Sequence, residues 1–214
     1  MLVQAVIFLG SLTLAQSVAA PPPMTAQQIL TRMAANTAGL QTYEVPVQIN
    51  ARIREGITIP VAMTGMRYFQ APAEEALKMD TAPGIARTFQ NVYASLGTPA
   101  TWPQTYKITV CNSQIIDGRP IYELRAVYRH PSRVDHIMLD VDPATFDPIQ
   151  ARWYYTNGAT IVMNVQEQVV DGKYRLPADE SISVNFSQYR GDADVRYGDY
   201  MVNQTLPATV FARN

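Results

Sequence analysis

Hydrophobic and polar residues alternate strictly over residues 43–54. Tyr43, Val45, Val47, Ile49, Ala51 and Ile53 take the odd positions, and Glu44, Gln48, Asn50, Arg52 and Arg54 take even ones. A period of two predicts a strand with one dry face and one wet face. Glu55-Gly56 predicts a turn, and Ile57, Ile59, Val61 and Met63 predict a second alternating strand. Residues 65–69 then form a third, stopped by Pro72, with Glu74-Glu75 in a solvated loop beyond it. Later runs at 106–116, 121–128, 134–141, 149–156, 159–170, 173–176 and 182–186 read as strands, with short pieces at 197–201 and 210–211. Asp117-Gly118, Asp142-Pro143, Asp171-Gly172 and a loop at 177–179 separate them, and Arg190, Asp192, Asp194 and Arg196 read as a charged surface loop. About ten strands joined by short turns predict an antiparallel meander.

Two segments leave this rhythm. Thr25 and Gln28 are spaced as a capping box, and Ile29, Leu30, Met33, Thr37 and Leu40 recur at helical spacing. A helix over 26–38, ending at Gly39, follows. Residues 83–96 predict a second helix, with Pro83 near its start and Gly97 after its end. Ile85, Phe89, Val92, Tyr93 and Leu96 form its apolar stripe.

The hairpin at Asn157-Gly158 lies between two aromatic and β-branched runs, a strong turn signal. A two-residue turn there sets Tyr154 opposite Ile161 and Trp153 opposite Val162. Both faces are then partly apolar. A sheet of about ten strands curls, so one side closes by packing. The other is either a hollow roofed by the two helices or more core.

Composition sharpens this picture. The chain is 47% hydrophobic but only 16% charged, below the roughly 25% of average soluble proteins, which suggests a second apolar surface. A net charge of -1 argues against nucleic acid as a partner, since phosphate contacts need excess positive charge. Residues 1–19 carry no charge and run from an apolar stretch into Ser17-Val18-Ala19, as in a cleavable export leader. Residues 20–214 then form a single domain. The lone Cys111 excludes an intramolecular disulfide and reads as a small packed hydrophobe.

Candidate chemistry is sparse. His130 and His136 are the only histidines, and no third metal ligand accompanies them. Asp140, Asp142 and Asp147 lack the glycine and terminal glutamate of a calcium loop; Asp142-Pro143 and Asp147-Pro148 read as turn makers. No Gly-rich phosphate loop and no Gly-x-Ser-x-Gly elbow is present. The expectation is a protein without a catalytic site, metal or cofactor.

The order of features carries a resemblance. Gly65-x-x-Tyr68-Phe69-x-x-Pro72 is followed by Ile137-Met138-Leu139-Asp140-Val141-Asp142-Pro143, the hairpin at Asn157-Gly158, and Leu176-Pro177. The chain closes on Tyr200-Met201-Val202-Asn203-Gln204-Thr205-Leu206-Pro207 and Phe211. Over nearly the whole mature chain this resembles the LolA-like superfamily of bacterial exported proteins, which includes periplasmic lipoprotein carriers, lipid-binding lipoproteins and an envelope-stress sensor. The resemblance implies an α+β fold: a strongly curved antiparallel sheet, an unclosed half-barrel of about ten strands, with helices over its concave face. It implies a non-enzymatic periplasmic protein that binds lipid acyl chains or an acylated lipoprotein, and carries or sorts outer-membrane lipoproteins. The alternative is an envelope sensor or interaction module that recognises a lipoprotein, or an envelope or inner-membrane protein partner. In the first reading Tyr43, Val45, Val47, Ile49, Trp153 and Tyr155 line the hollow, and Phe89, Val92 and Tyr93 cover it. The other possibility for each is plain core. The predicted helix at 83–96 departs from the carrier pattern, which has a shorter connection there, and no position matches the carriers' lid-fixing arginine.

Overall fold

A computed structural model describes residues 19–81, 97–116 and 118–211. The predicted helix at 83–96, with Phe89, Val92 and Tyr93, lies outside these residues, as does most of the predicted leader.

Helix α1 (Ala26–Ala35) starts on the expected capping box: Thr25 accepts from the Gln28 backbone N–H, and the Gln28 side chain accepts from the Thr25 backbone N–H at 2.8 Å. It ends earlier than the periodicity suggests, and turns lead from Asn36 to Leu40. Ile29, Leu30 and Met33 form its buried stripe.

The first strand, β1 (Thr42–Glu55), buries its six odd residues from Tyr43 to Ile53, as the alternation predicts. It is followed by β2 (Ile57–Gln70), β3 (Glu74–Thr81), a 3-10 turn (Pro99–Thr101), the short helix α2 (Trp102–Thr105), β4 (Tyr106–Ile116) and β5 (Arg119–Tyr128). Then come β6 (Val134–Val141), β7 (Pro148–Tyr155), β8 (Thr160–Val170), β9 (Tyr174–Asn185), β10 (Arg190–Tyr197) and β11 (Met201–Val202). The strands join one antiparallel, curved and unclosed sheet of 11 strands, with spatial order β3-β2-β1-β10-β9-β8-β7-β6-β5-β4 and β11 paired to β1 beside this path. The edges are β3 and β4. The one pairing distant in sequence sets β10 and β11 in line along β1, with Val47 opposite Tyr197 and Tyr43 opposite Val202.

Residues 210–211 form a bend, not a strand, and β11 stands at 201–202; four other differences from the sequence reading each have a physical reason. Residues 57–70 form one strand, not two, because Gly65 does not break it. A Cβ at Gly65 would sit 2.3 Å from the Lys78 carbonyl oxygen, so glycine is what lets β3 approach. Gly65→Ala is expected to detach or shift β3, costing about 2 kcal/mol or more; amide exchange at residues 76–79 checks this, and unchanged protection would contradict it. Glu74-Glu75 opens β3, and Glu75 pairs with Arg67 at 3.1 Å instead of standing in solvent. Residues 177–179 stay within β9. There Gln166 faces Asp179 and Glu167 faces Pro177, leaving Ala178 as the extra residue of a bulge, which tolerates proline. Residues 190–197 form β10, whose buried positions include Gly191 and Val195; small Gly191 and Ala193 conceal the alternation.

The hairpin at Asn157-Gly158 exists, with a different register. Tyr155 N–H donates to the Ala159 carbonyl at 2.9 Å, and Gly158, at φ 81°, donates to the Tyr155 carbonyl at 3.0 Å. The loop therefore holds three residues. Trp153 faces Ile161 and Ala151 faces Met163, all buried, while Tyr154 faces Thr160 and Arg152 faces Val162. A shift of one residue sorts the apolar side chains onto one face, which removes the expectation that both faces are apolar. On the other face Arg152 bridges Asp140 at 2.9 Å and Glu123 at 3.1 Å. Cys111 is exposed, not packed, because β4 bulges between Val110 and Asn112.

Two hydrophobic clusters form. One gathers the α1 stripe and Trp102 with side chains of β4 to β9, including Tyr122, Leu124, Ile137, Trp153, Ile161 and Met163. The second gathers Leu40, β1 and β2 with Tyr174, Leu176, Val195 and Tyr197.

Candidate ligand cavity

A cavity of about 360 Å³ lies where the two clusters meet. That is within the size range of small-molecule sites. Met33, Trp102, Met163 and Val165 of the first cluster line it, facing Leu40, Tyr43, Phe69 and Leu176 of the second. Residues 97–100 and the turn at Phe146–Pro148 complete its rim. The location follows from topology. Helix α1 covers one cluster, the chain turns at Gly39 to enter β1, and the seam between them is left incompletely filled.

The walls are apolar, but one side carries charge. Arg67, Glu75, Asp147, Glu167, Arg175 and Glu180 all reach the cavity. The Arg67 guanidinium donates to the Tyr197 hydroxyl at 2.7 Å and to Glu75 at 3.1 Å, and lies 3.8 Å from Glu180. Arg175 grips Asp147 through Nε, at 2.6 and 2.8 Å from its two oxygens, and through a second guanidinium nitrogen. Asp147 also accepts from the Asn36 side-chain amide at 3.0 Å, and Arg175 N–H donates to the Asn36 carbonyl at 3.0 Å. Asp147 is thus more than a turn maker: it ties the C-terminal cap of α1 to β9. Asp142 does act as a turn residue, accepting from Ala144 and Thr145 N–H at 2.7 and 3.1 Å.

Glu167 stands apart from these pairs. Burial, reinforced by the charges of Asp147 and Glu180, pushes it up to about 8, against the opposing pull of Arg175 and Arg67. At neutral pH it is mostly a neutral carboxylic acid. Its Oε2 is buried with no hydrogen-bond partner, and so is Trp102 Nε1. Burial likewise raises Tyr43 to about 12.

Of the sequence-selected residues, Tyr43 lines the cavity. Val45, Val47 and Ile49 are buried beside it in the second cluster, Trp153 is buried in the first, and Tyr155 packs against the first half-buried. The sequence reading did not select Trp102, Met163, Val165 or Glu167. Met163 and Val165 could have been found from the β8 alternation with the correct hairpin register. Glu167 follows Val165 on the same face of β8, so the alternation places it inward too, but a glutamate near a strand end reads as exposed by its charge. His136 stacks on Tyr154 with ring centroids 4.6 Å apart and touches Asp135 at 2.6 Å, away from the cavity. Among the described residues no group of three or more His, Cys, Asp or Glu side chains is placed to hold a metal ion.

No family model matches the chain, and no curated protein matches it in sequence. Solved structures do match in shape. A LolA superfamily protein from Nitrosomonas europaea aligns with TM-score 0.59 at 14% identity, covering 89% of this chain and 99% of its own. A putative outer membrane lipoprotein-sorting protein domain from Vibrio parahaemolyticus aligns with TM-score 0.60 at 10% identity, covering 86% and 94%. A DUF1329 family protein from Desulfovibrio piger aligns with TM-score 0.62 at 10% identity, covering 86% and 95%. The unclosed antiparallel sheet, its strand order and these alignments together establish that the chain has a LolA-like fold.

Proposed function

We propose that this is an exported, non-enzymatic protein of the bacterial envelope. Freed of its leader at residues 1–19, it binds lipid acyl chains or an acylated lipoprotein in the periplasm, and carries or sorts outer-membrane lipoproteins. The observation that carries this reading is the cavity at the seam of the two clusters, walled by Met33, Leu40, Tyr43, Phe69, Met163 and Val165. An apolar chain entering such a space gains about 0.8 kcal/mol per buried CH₂. In this reading α1 covers the concave side of the sheet, and Tyr43 contacts the ligand. Val45, Val47, Ile49, Trp153 and Tyr155 back the walls. The shared fold with a lipoprotein-sorting protein domain supports it. Among the described residues no helix is long and apolar enough to cross a membrane.

The site is testable by filling it. Ala34 lines the cavity from α1. Ala34→Trp is expected to weaken binding of a fluorescent fatty-acid probe by roughly tenfold, equivalent to 1.4 kcal/mol, while the thermal midpoint stays near that of the parent. Undiminished binding would place the probe elsewhere.

A second reading rests on β4. It is an edge strand of 11 residues with Ile115 and Ile116 exposed, and an open edge can accept a strand from another protein. An envelope sensor or interaction module would use it, and a stoichiometric protein partner lost on placing proline at Ile115 would favour that role.

A further inference from the structure

Among the described residues, two buried side-chain polar atoms lack a hydrogen-bond partner, Trp102 Nε1 and Glu167 Oε2. Both residues line the same cavity. Buried polar groups are almost always satisfied, because leaving one unpaired forfeits its hydration without return. Two such atoms in one cavity mark where a ligand's polar atoms would be held.

We propose that Trp102 Nε1 and Glu167 Oε2 are the polar recognition points of the cavity, and that its ligand is an acyl chain whose uncharged carbonyl oxygen, of an ester or an amide, accepts hydrogen bonds from them. This rests on the acyl-binding reading above and specifies its chemistry. The indole nitrogen can only donate, so its partner must be an acceptor. Trp102 is only 5% exposed. Its Nε1 lies 3.9 Å from where a Cβ on Gly97 would sit, and Gly97 lines the same cavity. Glu167 holds its proton at neutral pH, since burial raises it to about 8, and a protonated carboxyl can donate to the same carbonyl. The surrounding charge selects against a carboxylate ligand. Glu75, Asp147 and Glu180 face the cavity, and Arg67 and Arg175 are held against them. A neutral carbonyl fits where a second anion would be repelled. The two donors would hold the head of the acyl group while Met33, Tyr43, Met163 and Val165 cover the tail.

The ester and amide sources separate in one experiment. The full protein, ¹⁵N-labelled at its tryptophans, is titrated with methyl laurate as a lipid ester, with N-methyl lauramide as an acylated-peptide mimic, and with tetradecane as a chain without an acceptor. Trp102 and Trp153 give two indole signals, assigned by Trp153→Phe. The expected result is a downfield shift of the Trp102 indole proton with the ester or the amide, an unmoved Trp153 signal, and binding of the better carbonyl probe about tenfold tighter than tetradecane. The tighter of the two identifies the source: ester for lipid, amide for acylated protein. Glu167→Met should lower the ratio of carbonyl-probe to tetradecane affinity about threefold, leaving the share of Trp102, whereas Glu167→Gln, which keeps a donor, should retain most of it. Equal binding of all three probes with no indole shift overturns the proposal and leaves the acyl-cavity reading standing. Failure of every probe to bind overturns both.

Discussion

Replacing Glu167 by glutamine is expected to stabilise the folded protein above pH 8 and to leave its stability at pH 4 unchanged. The folded protein holds this proton up to about pH 8, against an ordinary value of 4.5. Between those values the native state keeps a proton that the unfolded chain has released. Stability therefore falls as pH rises through this window. Below it both states are protonated and nothing is lost; above it the native protein carries a buried, unpaired charge and the full penalty applies. Linkage at 1.36 kcal/mol per unit sets a ceiling of about 5 kcal/mol, and partial access of solvent brings the expected effect to about 3 kcal/mol. Glutamine cannot ionise, so this part of the pH dependence disappears. Urea denaturation of both proteins at pH 4, 6 and 9 measures it. Parallel curves for the two proteins would mean that Glu167 ionises normally.

Asp147→Ala is the second large effect. It strands the Arg175 guanidinium and takes from the Asn36 amide one of its two acceptors, leaving the Thr145 carbonyl. The side chains of the pair are 28% and 11% exposed, so the loss falls below that of a fully buried pair, at about 2–3 kcal/mol. Helix α1 should loosen first, since Asn36 links its C-terminal cap to the Thr145 carbonyl, to Asp147 and to β9. The same change removes a negative charge that raises Glu167, so the pH-sensitive window of the variant should shift downward. The midpoint of urea denaturation gives the first quantity, and its pH dependence gives the second. A cost under about 0.5 kcal/mol would show that the ion pair contributes nothing beyond a surface bridge.

Much of the fold was legible because local rules agreed. Tyr43 to Ile53 alternates without interruption, and Thr25 with Gln28 satisfies a cap within four residues. Strands 106–116 and 134–141 matched residue for residue, since turn residues bound them. Three of the misreadings fall where one residue shifts phase. Ala178 lets β9 pass Pro177, Cys111 turns outward at a bulge, and the third loop residue at the hairpin reverses which side chains of β7 and β8 pair. A bulge costs the chain one position and leaves no compositional mark, so periodicity read across it assigns the wrong face.

The site was less legible than the fold. Tyr43 was found because it begins the clearest strand. Trp102 stands in a single helical turn, and Glu167 beside a register shift. Their importance comes from what they lack, a partner within the cavity, and only three-dimensional packing shows that. The pairing of Arg67 with Glu75 and of Arg175 with Asp147 joins residues from different strands and turns. No spacing rule along the chain brings them together.

The most direct test of the central claim is native mass spectrometry of the mature protein, purified gently from its own envelope and extracted for bound lipid. The account predicts a stoichiometric acyl-bearing molecule, lipid or lipidated peptide, displaced by Ala34→Trp. Protein recovered empty, and still empty after incubation with envelope lipids, would contradict it and make the seam between the two clusters no more than imperfect core.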